Sequence, residues 1–186
     1  MAPLLYTHAR KAGIALPEET WLQLQGLALR HQFASRERAR LVVEILAASQ
    51  AAGIEVILLK GAALGQIAYP DPALRPMRNI DLLTRPRRAR DLQNLLVEMG
   101  YRPAPHAPGS PISARHLDEL SKQTNGFRVT VEIHDCLFDP TWRARRPEID
   151  AWMDRARPFS YNGVPAYTLN PKCTQYCVKR LKTAIG

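Results

Sequence analysis

At 186 residues, 46% of them hydrophobic and 23% charged, the chain is long enough for one domain with a real core. No apolar run approaches the roughly 20 residues that span a bilayer, and the N-terminus MAPLLYTHARKAGIALPEE is too interrupted for a secretory signal, so a cytoplasmic location without a membrane partner is expected. The formal charge of +9, mostly arginine, favours anionic partners without choosing among nucleotides, phosphorylated substrates and nucleic acid, and genome composition alone can produce it.

Residues 1–17 read as a mixed, partly ordered lead-in. Pro17-Glu18-Glu19 suits a helix start, with acids in the first turn, and a helix over Trp21 to Phe33 comes next. Ser35 can cap a second helix to Ala52, whose apolar residues Leu41, Val42, Ile45, Leu46 and Ala48 recur at threes and fours, and Gly53 ends it. Ile54 to Leu59 is an apolar strand, buried on both faces, that stops at Lys60-Gly61. A short helix from Gly61 to Tyr69 and a proline-rich loop over 70–77 lead to a second strand, about Arg78 to Thr84.

Pro86 starts a helix through Met99, with Ala89, Leu92, Leu96 and Met99 on one stripe; Gly100 stops it, and Tyr101-Arg102 begins a short edge strand. Residues 103–112, RPAPHAPGSP, suit a mobile loop, and His116 to Lys122 fits helix or strand equally. Asn125-Gly126 is a hairpin signal, and the strand after it alternates. Phe127, Val129, Val131 and Ile133 face one way; Arg128, Thr130, Glu132 and His134 face the other. Residues 140–157 read as mainly helical, Val164 to Leu169 as a strand, and Asn170-Pro171 as the start of a last helix. The fold class is α/β or α+β, a small mixed sheet flanked by helices. Its parts are an N-terminal helical segment over 1–53, a core over 54–170 and a C-terminal helix over 171–186, read as a shortened helical region.

Cys136, Cys173 and Cys177 make no disulfide framework. Cys173 and Cys177 lie one helical turn apart, but no second ligand pair accompanies them, so half-buried helix cysteines are the simpler reading, and a small core residue for Cys136. The basic run Arg85 to Arg90 lacks interleaved aromatics and reads as the solvated start of a helix that leans on an acid or a phosphate, rather than as a nucleic-acid patch. A nucleic-acid-binding regulator nevertheless stays among the functions considered.

Asn79 and Asp81 are two apart in a strand and so project together, while Ile80, Leu82 and Leu83 tie the strand into a core. An unpaired buried carboxylate is expensive, which singles out Asp81. Glu132 is next, because the other face of its strand is apolar. Lys60 fits a phosphate contact or a surface lysine. Arg75 and Arg78 fit phosphate contacts, or ties that hold the loop by pairing with Asp71 or with helix C-terminal carbonyls. His134 fits three roles: orienting Glu132, touching substrate, or packing on the sheet.

Leu59-Lys60-Gly61, Tyr69-Pro70, Arg75-Pro76-Met77-Arg78, Ile80-Asp81-Leu82-Leu83, Gly100-Tyr101 and Val131-Glu132-Ile133-His134 occur in an order that resembles the uncharacterised nucleotidyltransferase family of the polymerase-β-like superfamily. The likeness covers roughly residues 35–170. It implies a mixed sheet with flanking helices and a magnesium-dependent transferase, with Mg2+ or Mn2+ as cofactor. It would move a nucleoside monophosphate from a nucleoside triphosphate, ATP first among them, to an acceptor hydroxyl or phosphate on a small molecule, peptide, protein or RNA. Such transfer needs positioning and positive charge more than covalent help. Two divalent cations supply it in this resemblance, at Asn79, Asp81 and Glu132. Gly61 would let the backbone approach the triphosphate at a helix N-terminus, with Lys60, Arg75, Arg78 and His134 as further nucleotide contacts.

The motifs depart from the pattern at two places. Lys60-Gly61 stands where the wider superfamily has Gly-Ser. Asn79 stands where the family has aspartate, which removes a charge and a ligand oxygen. A naturally inactive relative, an inactivated variant and a weakened working site all fit that asparagine, and an inactive nucleotide-binding or regulatory protein is the alternative to the enzyme.

Overall fold

A computed structural model of the protein describes residues 2–103, 117–135 and 149–170. The expected loop over 103–112 (beyond residue 103), the three cysteines, residues 140–148 and the terminal helix after Asn170 lie outside the described residues.

The lead-in is a helix, α1 (Ala2–Lys11), held against the next one by an edge-to-face contact of Tyr6 and Trp21, with ring centroids 5.9 Å apart. Glu18 and Glu19 open α2 (Glu18–Ala51) as expected, but α2 is one unbroken helix, not two. Ser35 therefore caps nothing. A serine costs a helix interior only tenths of a kcal/mol, and no proline or left-handed glycine interrupts the segment. Only the last half of α2 enters the main core, through Leu41, Val42, Ile45 and Leu46. Gly53, at φ +62°, reverses the chain, and Ile54 N–H closes the helix on the Ser49 carbonyl at 2.8 Å.

Beyond α2 the chain builds a seven-stranded mixed sheet. Its strands are β1 (Ile57–Leu58), β2 (Asn79–Leu83), β3 (Arg102–Pro103), β4 (Leu120–Thr124), β5 (Phe127–His134), β6 (Arg157–Tyr161) and β7 (Val164–Thr168). They lie in the order β3-β4-β5-β2-β1-β7-β6. The β2/β5 and β1/β7 pairs are parallel and the rest antiparallel. The expected strand Ile54–Leu59 contributes only two paired residues, yet it is buried on both faces: Leu58 joins the main core, Ile57 and Leu59 a second cluster with Leu83, Ile149 and Met153. Of the ambiguous 116–122 stretch, β4 takes residues 120–122 as strand, and residues 117–119 are irregular. Asn125 and Gly126, at φ +43° and +79°, make the anticipated hairpin turn.

β6 was not anticipated, and residues 154–157, expected as helix, are a turn running into it. It is an edge strand, largely exposed, without the apolar alternation that marks a half-buried one. The Asn162-Gly163 turn after it, at φ +48° and +84°, was the available signal.

On the main-core face, α4 (Ala89–Glu98) buries Ala89, Leu92 and Leu96 beside α2. The opposite face carries the polar residues of β2 and β5, with α5 (Ile149–Met153) covering the end near β1. Arg85 joins these parts. Its guanidinium bonds Glu55 at 2.5 Å, Asp150 at 2.9 Å and Asp154 at 2.7 Å, and hydrogen bonds to these three carboxylates push its pKa upward. Arg88 pairs with Asp91 at 2.8 Å, and Arg90 donates to Gln93. Arg85 and Arg88 therefore lean on acids, as the sequence suggested, and Arg90 on a neutral amide.

Candidate active site

The register of one strand pair builds the site. Parallel pairing of β2 with β5 sets Asn79 beside Thr130, Asp81 beside Glu132 and Leu83 beside His134. Ile80 and Leu82 point into the main core, so Asn79 and Asp81 share the opposite face with Glu132 and His134. The His134 Nε2 reaches back diagonally to Asp81 Oδ1 at 2.9 Å and to Glu132 Oε2 at 3.5 Å. One ligand atom from each of Asp81, Glu132 and His134 lies within 4.8 Å of the others.

Asp81 is only 2% exposed, and a carboxylate so buried needs partners. It has two: His134, and Lys60 Nζ at 2.5 Å. The ammonium also lies 3.9 Å from Glu132. Glu132 accepts from the Asn79 amide N–H. A carboxylate ion can only accept, so the Asn79 side chain must turn its NH2 group toward Glu132 and its carbonyl oxygen away.

Lys60 gets there by an unusual backbone. It opens α3 (Lys60–Ala68) directly after β1 with φ +43°, a left-handed conformation rare outside glycine. The preceding Leu59 N–H bonds the Asp81 carbonyl at 3.0 Å, which fixes this turn against β2. The glycine next to it serves close packing: a Cβ on Gly61 would lie 2.6 Å from Met77 Cγ and 2.7 Å from its sulfur. Met77 carried no chemical signal in the sequence, and its part in seating α3 is visible only here.

Of the other predicted residues, Arg75 stacks over the Tyr69 ring at 6.0 Å, its Nε buried without a hydrogen-bond partner. Arg78 is exposed. Among the described residues neither bonds to Asp81 or Glu132, and Asp71 caps its own turn through Ala73 N–H at 2.8 Å instead of pairing with Arg75. The structure thus brings Lys60, Asn79, Asp81, Glu132 and His134 together, seats Gly61 beside them, and leaves the two arginines outside the contact cluster.

Two carboxylates and a ring nitrogen converging around a point of positive charge suit a divalent cation. Burial by itself would push the His134 pKa down, but hydrogen bonds to Asp81 and Glu132 outweigh it and the net shift is upward. A pKa raised on folding stabilises the protein fully below the unfolded value, about 6.5, and loses that contribution as pH rises through the folded value. Without added metal, His134→Gln should therefore lower Tm more at about pH 5.5 than at about pH 8.5. Equal losses in the two buffers would contradict the assignment.

The sequence model of a family described as uncharacterised nucleotidyltransferases matches residues 1–175. The chain belongs to that family. For this nucleotidyltransferase-family chain, membership implies a transferase with a nucleoside triphosphate substrate, and nucleotidyltransferases generally use a divalent metal. A Thermotoga maritima protein provisionally assigned as a nucleotidyltransferase, with a crystal structure at 1.87 Å, aligns with TM-score 0.49 and 15% identity over 80% of this chain and 89% of its own. No curated protein matches the chain. Among the described residues no helix is long and apolar enough to cross a membrane.

Proposed function

We propose that the protein transfers a nucleoside monophosphate from a nucleoside triphosphate, ATP first among candidates, to a hydroxyl or phosphate acceptor. Asp81, Glu132 and His134 would hold a divalent cation, Mg2+ or Mn2+. The observation that carries this reading is the convergence of those three side chains beside the N-terminus of α3. A cation bound there supplies positive charge against the reacting phosphates. The start of α3, which has no side-chain cap, favours anionic oxygens. A two-cation arrangement would also draw on Asn79, whose amide brings no charge, so the donors support one cation better than two.

A second reading has its own support. The Asn79 N–H engages Glu132 Oε1, which leaves only Oε2 facing His134 and Lys60, and the amide adds no charge of its own for a cation. The alternative is accordingly a protein that binds nucleotide without turning it over.

Thermal shift with ATP, GTP, CTP and UTP, each with and without Mg2+ or Mn2+, separates the two. The enzyme reading expects metal-dependent stabilisation of about 5–10 °C at a hundredfold excess over Kd, lost in Asp81→Asn. Stabilisation that needs no metal and survives Asp81→Asn supports the binding protein. No shift with any nucleotide removes both.

A further inference from the structure

Lys60 is held at the carboxylates by a backbone that a lysine does not ordinarily adopt. Its side chain is 58% exposed, whereas that of Asp81 is 3% exposed. The ammonium is therefore the solvent-facing member of the cluster, and its flexible stem can swing out without repacking the core. A buried carboxylate beside a partly buried one still needs positive charge, and Lys60 brings it to both Asp81 and Glu132.

We infer that Lys60 is a built-in, displaceable counter-ion, which neutralises Asp81 and Glu132 in the metal-free protein and leaves when a divalent cation binds them. The inference rests on reading Asp81, Glu132 and His134 as the cation site, and it adds a linkage. The released ammonium stays at the start of α3, where backbone N–H groups favour an anion. Cation binding thus frees Lys60 for a phosphate oxygen, so the site takes up its anionic ligand after the metal rather than before it.

Mn2+ titration without nucleotide, followed by electron paramagnetic resonance, tests this on the wild type, Lys60→Met and Asp81→Asn. Methionine keeps the stem and removes the charge. Lys60→Met is expected to bind Mn2+ at least about tenfold more tightly than wild type, because the competing charge is gone. Its metal-free Tm is expected to fall, because Asp81 loses a partner. Amine acylation of the wild type, read by mass spectrometry, does not depend on the variant folding: Lys60 should be modified faster once Mn2+ is added. Unchanged or weaker Mn2+ affinity in folded Lys60→Met, or Lys60 labelling indifferent to Mn2+, overturns the counter-ion role. If Mn2+ binding is meanwhile lost in Asp81→Asn, the cation site stands without it. No Mn2+ binding by any form overturns both.

Discussion

Asn79→Asp is expected to tighten divalent-cation binding by about tenfold or more and to raise any nucleotide-transfer activity with it. The asparagine projects from the same face of β2 as Asp81 and donates its N–H to Glu132. Aspartate would replace that donor with a second negative charge next to Glu132. Two unit charges about 4 Å apart interact by roughly 4 kcal/mol at an effective dielectric of 20, a divalent cation by about twice that, and desolvation leaves a fraction of it. A net gain of about 1.4 kcal/mol is already tenfold in Kd. In the metal-free protein the same substitution has the opposite sign. It deletes a hydrogen bond and crowds carboxylates together, so one of them should titrate at a raised pKa and Tm should drop. The diagnostic pattern is a variant less stable than wild type in chelator and more stable in Mn2+. Equal metal binding by both forms would mean that position 79 is no ligand and that the proposed geometry is wrong.

Gly61→Ala carries the second large effect. Alanine in a helix is normally worth about 0.5–1 kcal/mol over glycine. Here the new methyl would sit 2.6 Å from Met77 Cγ and 2.7 Å from its sulfur, far inside contact distance. Overpacking of this kind costs about 1–3 kcal/mol, so a Tm loss of roughly 2–12 °C is expected. Met77→Ala leaves only its own Cβ, 3.5 Å from the added methyl, which is ordinary contact. In a Met77→Ala background, Gly61→Ala should therefore cost little, a coupling that a double-mutant cycle reads directly. The cycle also separates two uses of the glycine. If Gly61 serves only the seating of α3 on Met77, the double variant recovers metal-dependent stabilisation by nucleotide. If the backbone must approach a phosphate there, that response stays lost although Tm is restored. A single variant as stable as wild type would show that Met77 yields freely.

The sequence alone determined what is local. The alternation of Phe127 to His134, the Asn125-Gly126 turn, the α4 stripe and the ends at Gly53 and Gly100 come from side-chain period and backbone preference. Both act over a few residues and survive whatever packs around them. The mixed α/β class came from their order. Locality also explains the errors: Ser35 had the chemistry of a cap, but no breaker stands on either side of it and α2 runs through, and β6 had no period to read. The residues now gathered on one face were named from the sequence as well, because a carboxylate in an apolar strand is conspicuous wherever it falls.

Only the tertiary structure decided how they meet. Asp81 stands beside Glu132 because β2 and β5 pair in parallel in one register, and a slip of one residue would send one set of side chains into the core. No local signal sets that register; it is held by the apolar residues on the other face of both strands. The same holds for Lys60. As a sequence it was a cation after a strand beside a glycine, which suits a phosphate contact or a surface lysine. The left-handed turn between β1 and α3, clamped to β2 through Leu59, puts its ammonium on Asp81. Charge and hydrogen-bond partners depend on distances of a few ångströms between segments far apart in the chain, and those distances exist only once the sheet has formed.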